Sequence, residues 1–300
     1  MNLEFLPPAE EKENSAGETA TPRRFDRMAR LVGDEGLQGL LHAHVMVVGL
    51  GGVGSYAAEM LARSGIGRLT LVDFDEICIT NVNRQLHALQ GTIGKAKAQV
   101  LAERFSRINP KAEFVPLTRF YNPESSEELL AWRPNYVLDA IDSVTAKAHL
   151  LATCRQKAIP VVSSAGAGGR IDPTRIRIAD LAATTVDPLA RMMRSILRSQ
   201  YGFPAEQLFG IPCVYSLEPC RPPQALAYDE GKGFRCVCPQ GQNEFWTCDN
   251  RNLIHGTAGF VTGAFGFTAA SVLVRHVVGQ FAWPQAGAEL PTIAERNSVD

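Results

Sequence analysis

An α/β fold built on a doubly wound, mostly parallel sheet is what this 300-residue sequence predicts. Three observations carry that prediction. Short runs rich in Val and Leu alternate with segments of helical periodicity, the pattern of βαβ units. A glycine-rich turn, Gly49-Leu50-Gly51-Gly52-Val53-Gly54-Ser55, joins the first such run to the helix after it. An acid, Asp73, closes the second run. Together these give a Rossmann-like topology with an irregular C-terminal insertion.

Taken in order, residues 1–22 carry five Glu against one Lys and three Pro, the composition of a disordered acidic tail. Leu37–Leu41 reads as a short helix feeding a buried strand, His44–Val48. A helix over Ser55–Arg63 and a strand over Leu69–Asp73 follow. Lys95–Ile108 is helical, with Val100, Leu101, Phe105 and Ile108 on one face. Further strands are expected at Glu113–Leu117, Tyr136–Ala140 and Val161–Ser163. From Asp187 to Trp246 the rhythm breaks: a helix begins near Pro188, capped by Asp187, and a Pro-, Cys- and Gly-rich loop spans about residues 202–251. Leu253–Val274 holds no Asp, Glu, Lys or Arg and has the length of a membrane span. Its many Gly and Ala suit close helix packing inside a protein, so a buried interface helix is the preferred reading. The stretch after Trp283 reads as a loose end, leaving one domain over residues 23–282.

Composition bounds the function. Thirty Lys and Arg against 31 Asp and Glu leave a net charge of −1, which excludes a protein basic all over but not a local basic patch. Seven Cys without regular pairing, and no signal peptide ahead of them, suggest a reducing, cytoplasmic setting with free thiols or one metal site.

The glycine turn reads as a phosphate cradle, a turn without a ligand being the other reading: Gly49 permits the tight turn, Gly51 lets phosphate approach the backbone, and Gly54 lets helix and sheet pack closely. Asp73 stands where an acid takes ribose hydroxyls. A nicotinamide dinucleotide, and hence an oxidoreductase, is the first reading. The residues after Asp73 argue against it. Asp75, Asn81, Asn83, Arg84, Gln85 and Lys97 add cations and amides that a dinucleotide does not need. A triphosphate does need them, because Arg and Lys neutralise its outer oxygens while a carboxylate holds Mg²⁺. A second acidic pair, Asp139 and Asp142, follows the Tyr136 strand at its C-terminal end.

These motifs resemble the ubiquitin-activating-enzyme-like adenylating superfamily, whose bacterial members activate the C-terminal carboxyl group of sulfur-carrier proteins. The G-x-G-G-x-G-S loop is Gly49–Ser55, the acid pair Asp73 and Asp75, the N-x-x-R-Q segment Asn81, Arg84 and Gln85, the G-x-x-K Gly94 and Lys97, and the later acid Asp142. The resemblance implies that ATP lies on Gly49, Gly51, Gly52, Gly54 and Ser55. Asp73 binds its ribose, and Asn81, Arg84 and Lys97 its phosphates, with Asp75, Asn83 and Gln85 completing the set. Asp142 coordinates Mg²⁺, and Arg84, Lys97 and Asp142 carry the chemistry. In a homodimer, Arg27 or Arg30 would reach the partner subunit's nucleotide.

Within that superfamily the sequence is similar to the tRNA threonylcarbamoyladenosine dehydratases. The similarity rests on Arg24-Phe25 with Ala29-Arg30-Leu31, on Thr80–Leu89, and on Ile141-Asp142-Ser143-Val144. It continues through Ala165–Thr174, Asp187-Pro188-Leu189 and Phe265-Gly266-Phe267. It implies ATP-dependent adenylation of the threonyl carboxylate beside a tRNA anticodon, then ring closure with loss of AMP. Activation of a sulfur-carrier or ubiquitin-like protein is the alternative. That branch carries two CxxC pairs for zinc, and this chain has none. Cys213, Cys220, Cys236, Cys238 and Cys248 could still supply a four-thiolate zinc site, or be loop thiols without a ligand. Cys248 is either a thioester-forming residue or a bystander. Arg191, Arg194 and Arg198 line one side of a helix and, with Arg170, are expected to hold tRNA; an ordinary solvated face is the other reading. A cysteine-desulfurase or sulfur-acceptor partner fits some relatives; attachment to a membrane does not fit.

Overall fold

The computed structural model describes residues 23–224, 226 and 255–291. Strands β1 (His44–Val48), β2 (Arg68–Val72), β3 (Glu113–Leu117), β4 (Tyr136–Asp139), β5 (Val161–Ser164), β6 (Ile176–Asp180) and β7 (Pro212–Ser216) form one sheet. Their order is β3-β2-β1-β4-β5-β7-β6. Every neighbouring pair is parallel except β6 and β7. The chain leaves β1 toward β2 and returns to place β4 on the other side of β1. The crevice of a doubly wound sheet opens at that reversal, beyond the strand C-termini.

Strand alternation builds two cores. Val45 and Val47 point to one face, with Leu69 and Leu71; Met46 and Val48 point to the other. On the first face lie α2 (Gly54–Arg63), α3 (Lys97–Ile108), α7 (Gly259–Val277) and the end of α1 (Asp26–His42). The second face is covered by α4 (Pro123–Leu130), α5 (Val144–Gln156) and α6 (Pro188–Tyr201). Side chains such as Leu61, Phe105 and Leu151 are wholly buried, each worth about 1.5–3 kcal/mol of transfer free energy.

The structure lengthens the expected first helix back to Asp26, with a break at Gly33, whose φ is 77°. It also corrects the reading of the region after Asp187. Instead of leaving the sheet, this stretch supplies α6 and then β7, inserted between β5 and β6. Cys213 is therefore a wholly buried strand residue, with Sγ directed to the carbonyl of Val214, and not a loop thiol awaiting metal. Cys236, Cys238 and Cys248 lie outside the described residues. The segment after Trp283 is likewise no loose end as far as it is described. The Trp283 indole donates to the carbonyl of Gly210, Leu208 N–H to Ala288, and Glu289 bridges Gln207. The charge-free C-terminal segment is a core helix, with Val261, Phe265, Ala269, Val272 and Leu273 buried against α2 and the sheet. By length and hydropathy alone α7 also passes for a membrane span, yet half of that stretch is covered by protein.

Candidate nucleotide site

The glycine turn crosses from β1 to α2 at the crevice. Gly49 has φ 88°, and a Cβ there would sit 2.7 Å from the carbonyl oxygen of Ala140, at the end of β4. A Cβ on Gly54 would lie 1.8 Å from the carbonyl oxygen of Gly49, so no other residue closes this turn. The Gly51 position faces no such crowding; its nearest neighbour is the Gln85 amide nitrogen, at 3.8 Å. Gly52 lies under Thr262 of α7, whose hydroxyl would be 3.0 Å from a Cβ.

Asp73 is buried and holds the turn in place. One carboxylate oxygen accepts the Leu50 N–H at 2.6 Å and the other the Asp75 N–H at 2.9 Å. Lys97, the first residue of α3, brings its ammonium 2.7 Å from Asp75 and 4.0 Å from Asp73. Burial pulls the Lys97 ammonium toward neutrality, but Asp73 and Asp75 outweigh it and hold it above the usual lysine range, so it stays charged. Burial raises the Asp73 carboxyl, against the pull of Lys97.

The segment after Asp75 wraps the loop. Asn81 is buried, and its side-chain oxygen accepts the Cys78 N–H at 3.0 Å, tying the turn Ile79–Asn81. Asn83 donates to the Thr257 carbonyl at 2.9 Å, ahead of α7. Arg84 is half-buried and its guanidinium donates to Thr80 and to the Asn83 side chain. Ser55 is wholly buried and its hydroxyl accepts the Leu86 N–H at 3.3 Å, which binds this segment to α2. Asp142 is exposed just beyond β4, close enough to Lys97 for its charge to act there. The structure thus brings Gly49–Ser55, Asp73, Asp75, Asn81, Arg84, Gln85, Lys97 and Asp142 to one end of the sheet.

Arg170 does not belong with an RNA-facing surface. Its guanidinium is buried and paired with Asp187 at 2.6 Å, and it donates also to the carbonyls of Gly166, Gly168 and Glu218. This corrects the expectation from sequence: a buried arginine this fully bonded is structural. Arg191 stands exposed on α6, while Arg194 bonds Thr184 and Arg198 bonds the carbonyls of Pro204 and Ala205. With Ser195 and Ser199 these arginines line a shallow depression of about 500 Å³. On α1, Arg27 and Arg30 are both exposed, and Arg30 pairs with Asp26 at 2.9 Å.

Sequence reasoning missed His87. It is 1% exposed, and neither ring nitrogen has a hydrogen-bond partner. The Gln85 side-chain oxygen is likewise buried and unpartnered. The signal was present in the polar run Asn81 to His87, since a buried imidazole there needs an explanation.

A glycine cradle at a helix N-terminus, an acid on the adjoining strand, and a lysine and arginine beside it define a nucleotide-binding α/β protein with cationic groups placed for phosphate. The chain belongs to the ThiF family, whose pattern matches residues 25–294. It is 43% identical over 262 residues to a tRNA threonylcarbamoyladenosine dehydratase of Escherichia coli strain K12, covering 87% of this chain and 95% of that one. Identity is also 43% to the enzyme of that name from Haemophilus influenzae, over 85% and 94% of the two chains. The crystal structure of the E. coli tRNA N6-threonylcarbamoyladenosine dehydratase in complex with ATP superimposes with a TM-score of 0.73 at 41% identity, over 86% of this chain and 94% of that one.

Proposed function

We propose that this chain is an ATP-dependent tRNA threonylcarbamoyladenosine dehydratase. The carboxylate of the threonylcarbamoyl group attacks the α-phosphorus of ATP and expels pyrophosphate. The resulting acyl-adenylate then undergoes attack from within the same group, and AMP leaves. A carboxylate has no good leaving group of its own; AMP supplies one. Catalysis of the first step is positioning and charge stabilisation, the task that the glycine cradle, Arg84 and Lys97 suit. Because the attacking atom in ring closure belongs to the substrate, no protein nucleophile is required, and Cys248 stays a candidate outside the described residues.

Mg²⁺ commonly binds through one or two carboxylates plus phosphate oxygens. The exposed Asp142 carboxylate beside the cradle fits that demand. Bound there, the ion would offset the charge that builds on the phosphates. Arg191, the exposed member of the α6 stripe, is the residue we assign to the tRNA backbone. A second copy of the chain fits Phe260 and Phe267, which stand exposed two turns apart on α7, and it would bring Arg27 to the neighbouring nucleotide. A sulfur-transfer partner and a cytoplasmic location accord with the same reading.

The observation that carries the proposal is the glycine turn flanked by Asp73 and Lys97, paired with near-full-length identity to dehydratases. The deciding assay supplies ATP, Mg²⁺ and tRNA with or without the threonylcarbamoyl group. AMP release only with the modified tRNA is expected. Release without tRNA, or none in either case, refutes it.

A further inference from the structure

The turn that presents Asp142 is held by a buried ion pair that the adenylation chemistry does not use. Asp139 ends β4 and Lys147 lies one turn into α5; their charged groups meet at 2.6 Å, 0% and 1% exposed. Both charges also reach Ile141, the residue before Asp142. Its N–H donates to Asp139 at 3.1 Å, and its carbonyl accepts from Lys147 at 3.1 Å. Ser163 on β5 donates at 2.7 Å to the same Asp139 oxygen that meets Lys147, while the other oxygen accepts the Ile141 N–H, so both carboxylate oxygens are held. On the near side, Ala140 N–H bonds the Val48 carbonyl, and its own carbonyl lies under Gly49.

Stability alone is a poor reason for such a pair, since an apolar replacement of equal volume is often as stable. An apolar pair would, however, take away the side-chain partners of both the Ile141 N–H and the Ile141 carbonyl. We infer that Lys147 is a positioning residue: with Asp139 it clamps the Ile141 peptide and thereby aims the Asp142 carboxylate at the nucleotide cradle. The inference rests on the proposed role of Asp142.

The test compares Asp142→Ala, the charge-neutral double variant Asp139→Asn with Lys147→Met, and Lys147→Arg. Thermal unfolding is followed with ATP in EDTA and with ATP plus Mg²⁺, alongside the Mg²⁺ dependence of AMP release. The double variant is expected to keep the shift produced by ATP in EDTA. It should lose the added shift from Mg²⁺, as Asp142→Ala does, with half-saturating Mg²⁺ raised roughly tenfold or more, the usual effect of losing a group that orients a metal ligand. Lys147→Arg keeps the charge and its donors and should retain the Mg²⁺ response, and it serves as the comparison if the double variant does not fold. A wild-type Mg²⁺ response in the double variant overturns the inference, as does its loss in Lys147→Arg. If Asp142→Ala also responds normally, the assignment of Asp142 falls with it; if Asp142→Ala loses the response, only the clamp falls.

Discussion

Replacing His87 by Leu removes a buried imidazole whose ring nitrogens lack partners, and its consequence depends on pH with a definite sign. Burial, with a smaller contribution from the Lys97 ammonium, depresses the His87 pKa to about 3. In the unfolded chain a histidine titrates near 6.5. As pH falls through 6.5 the unfolded state takes up a proton that the folded state refuses, so stability drains away between pH 6.5 and pH 3 and is fully present above 6.5. Each pH unit in that window is worth roughly 1.4 kcal/mol. Lowering pH from 7.5 to 5.5 should therefore take about 1–2 kcal/mol from the wild type that it does not take from His87→Leu. At pH 7.5 the two chains should differ by about 1 kcal/mol or less, because removing an unsatisfied polar group offsets the change in packing. Urea denaturation at both pH values measures the difference, and His44 and His149, also depressed, cancel because both chains carry them. A difference between wild type and variant that is the same at pH 7.5 and 5.5 would refute the assignment of His87 as a neutral, buried group.

Three other variants have expected outcomes. Gly54→Ala drives a methyl group into the Gly49 carbonyl, so ATP binding by calorimetry should be lost even where the protein still folds. Arg170→Met and Arg191→Glu should separate structure from recognition. The first leaves Asp187 buried and unpaired, lowering stability by about 3–5 kcal/mol in denaturation; the second leaves stability within about 0.5 kcal/mol, as surface changes do. In filter binding, Arg191→Glu should weaken tRNA affinity and reduce its salt dependence by about one ion.

The glycine turn and the acid beside it were readable because they act locally. Gly49 and Gly54 are demanded by the turn they form, and Asp73 bonds Leu50 and Asp75 wherever a strand ends in that arrangement. Lys97 could be placed as the lysine of the G-x-x-K that begins at Gly94, and the structure starts α3 with it. What stayed hidden depends on partners distant in sequence. Arg170 and the arginines of α6 are alike as residue types; only the fold shows that Arg170 meets Glu218 and Asp187 in the interior. α5 gave no periodic signal because Ala146, Ala148, Leu150, Leu151, Ala152 and Cys154 are buried on several sides at once. β7 is five residues between Pro- and Gly-rich segments, too short to announce a strand inside a sheet. α4 could have been found, since Asn122 ahead of Pro123 caps it through Ser125.

The wall that α7 gives to the glycine loop has a consequence for biosynthesis. Thr262 covers Gly52 and bonds the Arg84 carbonyl, although α7 follows the loop by some two hundred residues on the ribosome. A nascent chain can carry the complete loop, β2 and α3 and still lack one side of the cradle until α7 emerges. Nucleotide should therefore give the N-terminal half no help in folding during synthesis, and a fragment that keeps Gly49 to Asp142 but stops before Gly259 should bind none.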